Sequence, residues 1–127
     1  MCGIYGITTK DREFIKKSIN ICSYRGPDGH DIWNDNYITL GHNLLAITEQ
    51  PENSLQPHKT PKNNMLIYNG EIFNYHELRN KYVQFQLKTN CDTELLAWGL
   101  DYFGLEFLKE IDSQHAFAYY NVNNNIL

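Results

Sequence analysis

The sequence predicts one mixed domain of the α+β class, or of the α/β class with mixed sheets. Segments that alternate like strands are interleaved irregularly with segments whose apolar residues recur at helical spacing. The chain has 127 residues, and 42% of them are hydrophobic, which is enough for one domain with its own core. It contains no internal repeat and no low-complexity linker. Residues 1–127 are therefore predicted to form a single unit.

The amino-terminal part is predicted to form a strand, a helix and a turn, in that order. Cys2–Thr8 alternates loosely, as a buried first strand does. Asp11 stands where a helix cap is favoured, and the helix is predicted to run to Cys22. The stretch Arg25–Gly29 must interrupt regular structure, because its proline and two glycines disfavour it. The residues that share one face of this helix are Phe14, Ile15, Ser18, Ile19 and Cys22.

The rest of the chain is predicted to contain three more strands and two more helices. A long polar loop with three prolines separates the second strand from the third, and loops of this length are more often functional than idle. The longer helix is supported by apolar residues at helical spacing. The predicted strands are Ile38–Ile47, Met65–Tyr68 and Ala116–Tyr120, and the predicted helices are Tyr75–Tyr82 and Asp92–Phe103.

Composition and charge exclude several classes of partner. The formal net charge of −4 gives no electrostatic reason to expect nucleic acid or an anionic membrane as a partner. No apolar run approaches the ~20 residues that a membrane-spanning helix needs, and the start, MCGIYGITTKDRE, meets charged residues too soon for a signal peptide. Three cysteines without a CxxC pair indicate reduced thiols and a cytoplasmic location. The histidines and cysteines lack metal-ligand spacing, so no metal or cofactor is predicted.

Cys2, directly behind the initiator Met1, is the strongest functional signal in the chain. If Met1 is removed, Cys2 carries a thiol and a free α-amine on one residue. The thiolate is the nucleophile of cysteine chemistry, and an α-amine with an ordinary pKa of about 7.7–8.0 can serve as its base. The alternative interpretation is a small buried residue at the start of a strand, which would be preferred if Cys2 stood alone.

Five motifs occur along the chain in a fixed order. They are Met1-Cys2-Gly3-Ile4-Tyr5-Gly6-Ile7, Arg25-Gly26-Pro27-Asp28-Gly29, Gln56-Pro57, Asn69-Gly70-Glu71-Ile72-Phe73-Asn74-Tyr75 and Asp92-Thr93-Glu94. With this order and these gaps the chain resembles the glutaminase domain of class II glutamine amidotransferases, in particular the amino-terminal half of glutamine-hydrolysing asparagine synthetases. The resemblance weakens after Leu108. It implies the fold of the N-terminal-nucleophile hydrolases, an αββα sandwich.

The resemblance also implies a role for each motif residue. Cys2 would attack the side-chain amide of L-glutamine, release ammonia and form a thioester that water hydrolyses. Asn69, through its side-chain amide, and Gly70, through its backbone N–H, would form the oxyanion hole, since these are the donors that a developing oxyanion needs. Asp92 would hold the α-ammonium in a charge-assisted hydrogen bond. Glu71 and Arg25 would complete the substrate-binding set, Arg25 from the loop that borders the nucleophile.

Each of these residues also has a purely structural interpretation. Asn69-Gly70 is one of the strongest signals for a two-residue hairpin turn. Asp92 is favoured at the start of a helix by the helix dipole, by about 0.3–1 kcal/mol. Arg25 fits a tight turn with an exposed arginine, and Glu71 fits a solvated surface. A turn at Asn69-Gly70 or a helix start at Asp92 would not exclude the site.

The chain departs from the family in two places. Family members carry an arginine in a His-x-Arg-Leu-Ser-like stretch that clamps the glutamine α-carboxylate, whereas Leu44 stands at this position here. Leucine cannot replace a bidentate arginine, and losing such a partner typically costs about 2–5 kcal/mol in binding. Lys59 and Lys62 in the long loop are candidates for compensation. The family domain also continues beyond the strand predicted at Ala116–Tyr120, so the domain is expected to be truncated at its carboxyl end.

The predicted function is therefore hydrolysis of L-glutamine to glutamate and ammonia, as in asparagine biosynthesis, with a separate synthetase as the possible acceptor of the ammonia. Two alternatives stay open. One is an impaired or inactive module for binding or regulation, and the other is a gene remnant. The intact Cys2, Asn69-Gly70 and Asp92 favour the enzyme, whereas Leu44 and the early end favour the alternatives.

Overall fold

Two antiparallel sheets form the centre of the domain in the computed structural model, which describes residues 2–47 and 50–127. The strands are β1 (Gly3–Ile7), β2 (Gly29–Asn34), β3 (Thr39–Leu44), β4 (His58–Lys59), β5 (Met65–Ile72) and β6 (Ser113–Tyr120). The first sheet has the order β1-β3-β2, and the second has the order β4-β5-β6. Every neighbouring pair is antiparallel.

Four helices lie between the strands in the described part of the chain. They are α1 (Arg12–Ile21), α2 (Pro51–Ser54), α3 (Tyr75–Lys81) and α4 (Asp92–Phe103), with 3-10 turns at Ser23–Arg25 and Gly104–Lys109. The helix α1 begins as predicted, because the Asp11 carboxylate accepts a hydrogen bond from the Phe14 N–H at 2.9 Å. Within the described residues, no helix is long and apolar enough to cross a bilayer.

The helices cover the outer faces of the two sheets. The helix α1 packs against β1 and β3, α4 packs against β4 and β5, and the sheets meet through β1, β3 and β5. An apolar cluster of Ile38, Leu40, Met65, Ile67 and Tyr120 fills the space between the sheets. This arrangement confirms the predicted α+β class and is compatible with an αββα sandwich. The N-terminal-nucleophile hydrolase fold and the truncation stay predictions.

The predicted helices and strands are all present, and α4 has the predicted bounds. The elements β2, β4 and α2 have no counterpart in the prediction. Of the residues predicted on one face of α1, Ile15 and Ile19 are buried, whereas Phe14 is half exposed. The buried face of α1 is therefore narrower than the pattern indicates.

The stretch Asn69-Gly70 lies within β5 and does not form a turn. The pairing of β5 with β6 runs without interruption from Met65 opposite Tyr120 to Ile72 opposite Ser113. The alternative interpretation of a hairpin at Asn69-Gly70 is wrong, because this long ladder overrides the local turn preference.

His42 is a buried titratable residue at the centre of β3. It is fully buried, and neither ring nitrogen has a hydrogen-bond partner among the described residues. Strand alternation places its side chain on the face of the first sheet that carries Leu40 and meets the second sheet. Burial lowers the pKa of His42 to about 4, because the imidazolium would lose its hydration there. His42 is therefore neutral at pH 7, which agrees with a structural role.

We expect acid to destabilise the domain partly through His42. Its ordinary pKa is 6.5, so protonation begins to favour the unfolded chain below that pH and continues to do so down to about 4. By linkage, the free energy of unfolding should fall by about 2 kcal/mol between pH 8 and pH 5 on account of this residue. Denaturant titrations at both pH values measure the drop.

The matched control is His42→Gln, which removes the titration. The drop between the two pH values should shrink by the same amount in this variant. His58, whose pKa is also lowered by burial, is present in both proteins and cancels from the comparison. An equal drop in both proteins would contradict the prediction.

Candidate active site

A cavity of about 290 Å³ lies where β3 and β5 end and β6 begins. Four segments form most of its wall, namely residues 44–47, 68–71, 91–93 and 114–116, and three further residues complete it, Cys2, Ser54 and Gln56. Five of the six residues predicted for the site line this cavity, namely Cys2, Asn69, Gly70, Glu71 and Asp92.

Cys2 is held against the chain that follows β3. The N–H of Leu45 donates to the Cys2 sulfur at 3.4 Å, and the thiol lies 3.7 Å from the Leu45 carbonyl oxygen. On its other side, Arg25 Nε donates to the Cys2 carbonyl oxygen at 3.2 Å. The thiol is thus partly buried with its backbone fixed. Met1 lies outside the described residues, and the requirement for its removal stays a prediction.

The loop Arg25–Gly29 fixes the segment that faces Cys2. The Asp28 N–H donates to the Leu44 carbonyl oxygen at 3.0 Å, and the Asp28 carboxylate accepts from the Ala46 N–H at 2.8 Å. Gly26 packs so closely on β3 that an added Cβ would lie 2.6 Å from the backbone of Asn43 and Leu44.

Arg25 itself lies outside the cavity lining and contacts the backbone of Cys2. The structure therefore places it behind the nucleophile. Its predicted contact with substrate stays a prediction.

The N–H groups of β5 point alternately toward β6 and toward the cavity side. The Tyr68 N–H donates to the Gln56 side-chain oxygen at 2.6 Å, and the Ile72 N–H donates to Asp92 at 3.2 Å. Successive N–H groups of a strand alternate in direction, so the N–H of Gly70 points to the same side as these two. Gly70 lines the cavity, and its N–H therefore points to the cavity side of β5, between the groups bound by Gln56 and Asp92.

A glycine is required at position 70 because β6 approaches it closely. An added Cβ would lie 2.4 Å from the carbonyl oxygen of Gln114 and 2.7 Å from the Cβ of His115. The Cβ atoms of real residues essentially never make contacts this short, so the backbone of β5 or β6 would have to shift. The motif glycine is thus explained by packing as well as by its candidate role as a donor.

Asp92 is the first residue of α4, and its carboxylate reaches across to β5. It accepts hydrogen bonds from the Tyr68 hydroxyl and from the Ile72 N–H, both at 3.2 Å. Burial raises the pKa of Asp92, although these hydrogen bonds oppose the rise, and burial beside Asp92 also raises the pKa of Tyr68. Asp92 is therefore both a helix-start residue and a carboxylate in the cavity wall.

Gln56 is a polar residue of the wall to which the sequence analysis assigns no role. Gln56 is buried, and its amide donates to the Thr93 hydroxyl at 3.3 Å while its oxygen accepts from Tyr68. It thereby joins the loop before β4 to β5 and to the start of α4. The Gln56-Pro57 motif marks this residue in the sequence, but neither a glutamine nor a proline indicates a catalytic or binding role by its residue type.

Apolar side chains and a second thiol are also part of the cavity wall. Leu44 is buried in its wall. Lys59 and Lys62 do not line it, and Lys62 Nζ donates instead to the Asp101 carbonyl oxygen at 2.8 Å. Cys91 also lines the cavity, and burial raises the pKa of its thiol.

Residues 1–127 match the family described as the glutamine amidotransferase domain. The chain belongs to this family. It is 31% identical to the putative asparagine synthetase (glutamine-hydrolyzing) 2 of Methanocaldococcus jannaschii, with 100% of this chain and 29% of that protein covered. It is 30% identical to asparagine synthetase (glutamine-hydrolyzing) 1 of Bacillus subtilis, with 100% and 22% covered.

A third relative is asparagine synthetase B (glutamine-hydrolyzing) of Escherichia coli, which is 31% identical with 95% of this chain and 23% of that protein covered. The family predicted from the five motifs is thus confirmed. This glutamine amidotransferase domain spans between about a fifth and three tenths of the length of these curated relatives.

Proposed function

We propose that this domain hydrolyses the side-chain amide of glutamine to glutamate and ammonia, with Cys2 as the nucleophile. The observation that carries the proposal is that Cys2, Asn69, Gly70 and Asp92 line one cavity although they come from three separate segments of the chain. Family membership supports amide hydrolysis in general, and this shared cavity supports these residues as its machinery.

The first half of the reaction forms a thioester on Cys2. With Met1 removed, the α-amine takes the thiol proton and the sulfur attacks the amide carbon. The Gly70 N–H and the Asn69 side-chain amide hold the oxyanion that develops on the amide oxygen. The amine then returns the proton to the leaving nitrogen, the C–N bond breaks, and ammonia departs.

The second half of the reaction restores the thiol. A water molecule loses a proton to the same amine and attacks the thioester carbon. The C–S bond breaks, the sulfur takes the proton back, and the acid is released. Arg25 acts here as a positioning residue, because its hydrogen bond to the Cys2 carbonyl fixes the backbone that carries both groups.

Asp92 and Glu71 hold the substrate by its α-ammonium. Both carboxylates line the cavity, and Asp92 is the more buried of the two. An ammonium group beside Asp92 counters the effect of burial on its pKa, because an opposite charge favours the ionised form. Substrate binding and ionisation of Asp92 are therefore coupled.

The ammonia released at Cys2 requires an acceptor that lies beyond the cavity. We propose that a separate synthetase domain or protein consumes it. The names of the relatives, glutamine-hydrolyzing asparagine synthetases, support an acceptor of this kind.

Removal of Met1 should be necessary for turnover. With Met1 attached, the Cys2 nitrogen is an amide, which cannot take the thiol proton, so ammonia release should fall by at least about a hundredfold, the usual worth of a general base. Intact-mass spectrometry measures the fraction of chains that begin at Cys2, and ammonia release is measured on the same samples. The rate should be proportional to that fraction. Turnover by protein that retains Met1 would refute the amino-terminal mechanism.

A further inference from the structure

The cavity wall carries negative charge on one side. Asp92 and Glu71 are its two carboxylates, and no lysine or arginine is among the residues that line it in the described part of the chain. The guanidinium of Arg25 lies beside Cys2 and is engaged with its carbonyl oxygen. His115 lines the cavity, and its Nδ1 pairs with the Ser113 hydroxyl at 2.6 Å. A bound ammonium thus meets two carboxylates, whereas a bound carboxylate meets no lysine or arginine side chain in this part of the chain.

The wall beside Cys2 is apolar, and two of its backbone N–H groups are already engaged. Leu44, Leu45, Ala46 and Ile47 form this side of the cavity. The Leu45 N–H is used by the Cys2 sulfur, and the Ala46 N–H by Asp28. A carboxylate placed here would lose hydration, and no lysine or arginine side chain among the described lining residues would pair with it. Such burial is strongly unfavourable.

We propose that the preferred substrate is a glutamine whose α-carboxyl group is neutral because it is held in amide linkage, as in the first residue of a peptide. This inference rests on the proposed hydrolysis of the side-chain amide at Cys2. Such a substrate keeps the amide that Cys2 attacks and the ammonium that Asp92 binds. It replaces the carboxylate with an uncharged group that suits the wall at Leu44.

The exposed side of the cavity leaves room for the rest of a peptide substrate, beyond its first residue. Ile47 is largely exposed, and Gln114, His115 and Ala116 are exposed at the start of β6. These four residues line the cavity as well as the protein surface. A substituent on the α-carboxyl can therefore extend toward solvent past an apolar and amide-bearing rim.

The test compares three small probes with the full chain from which Met1 has been removed. L-glutamine and L-glutamine N-methylamide differ only at the α-carboxyl group, which is a carboxylate in the first and a neutral methylamide in the second, and each has one primary amide. N-acetyl-L-glutamine keeps the carboxylate and lacks the ammonium. Mass spectrometry of the acid product separates enzymatic hydrolysis from spontaneous cyclisation, and Cys2→Ala provides the blank.

The N-methylamide should be hydrolysed with a kcat/KM at least about tenfold above that of glutamine. It lacks the α-carboxylate, which in glutamine either faces the carboxylates of the cavity or is buried without a partner at the apolar wall. N-acetyl-L-glutamine should be the poorest of the three. Equal or better turnover of glutamine, or of the N-acetyl compound, would overturn the inference and leave the proposed hydrolysis standing. If no probe is hydrolysed by mature protein, the proposed hydrolysis fails and the inference fails with it.

Leu44→Arg tests the cause of the preference. A guanidinium at this position should raise kcat/KM for glutamine relative to the N-methylamide by about 30-fold or more, chiefly through KM. Leu44→Met, which fills similar volume without charge, should keep the original order of the two probes. An unchanged order in folded Leu44→Arg would show that the apolar wall does not set the preference.

Discussion

Replacement of Cys2 by alanine is expected to lower amide hydrolysis by at least about a thousandfold, because loss of a covalent nucleophile costs an enzyme roughly 10³–10⁶ in rate. The side chain is small and only partly buried, so the fold should persist. Ammonia release and thermal unfolding, measured on the same preparation, separate the two effects.

Cys22→Ser is the matched control for this variant. Cys22 is also a partly buried free cysteine, but it does not line the cavity. Its replacement should leave kcat/KM within about twofold of the value for the unmodified protein, since substitutions near the surface and away from a site have small effects. Comparable losses in the Cys2 and Cys22 variants would show that the chemistry does not depend on the cavity thiol.

Gly70→Ala should lower kcat by at least about a hundredfold, the usual cost of losing one donor to an oxyanion. The added Cβ would meet the Gln114 carbonyl oxygen at 2.4 Å, so β5 and β6 must separate locally. This shift moves the Gly70 N–H out of line with the cavity. The free energy of unfolding should also fall by about 1–3 kcal/mol, as overpacking generally causes. Steady-state kinetics and denaturant titration measure the two effects.

Gly6→Ala is the control for a glycine within a strand. An added Cβ at Gly6 meets the end of the Leu40 side chain at 3.3 Å, so a shift of a few tenths of an ångström in that side chain makes room for it. Its stability and kcat should therefore change little. If Gly70→Ala behaved like Gly6→Ala in both measurements, Gly70 would have no part in the chemistry.

The helices α1, α3 and α4 were predictable because their signals are local. Asp11 caps α1 by its own side chain, and the bounds of α4 follow from a first-turn aspartate and a run of apolar residues. The strand β2 was missed, since its sequence GHDIWN lacks regular alternation and is only partly buried. It exists because every residue from Gly29 to Asn34 pairs with β3. Such tertiary pairing leaves no signal in the strand itself.

The residues of the site were easier to predict than their surroundings. Cys2 and Asp92 carry recognisable chemistry, so motifs identify them. Asn69-Gly70 has the strongest local preference for a turn, yet the pairing with β6 extends it as strand. The position of Arg25 behind Cys2, and the bridge that Gln56 makes from Tyr68 to Thr93, depend on contacts between distant segments. Residue type alone cannot show such contacts.

Peptide mapping of a covalent label tests Cys2 as the nucleophile most directly. The reagent is a glutamine analogue that carries an electrophilic ketone in place of the side-chain amide, used at saturating concentration on mature protein. The proposed site contains two thiols, Cys2 and Cys91, and burial raises the pKa of Cys91, so its thiolate is scarce. We expect the label on Cys2 in preference to Cys91 and Cys22, with ammonia release lost in proportion. Equal labelling of the three cysteines, or labelling of Cys91 with loss of activity while Cys2 stays free, would contradict Cys2 as the nucleophile.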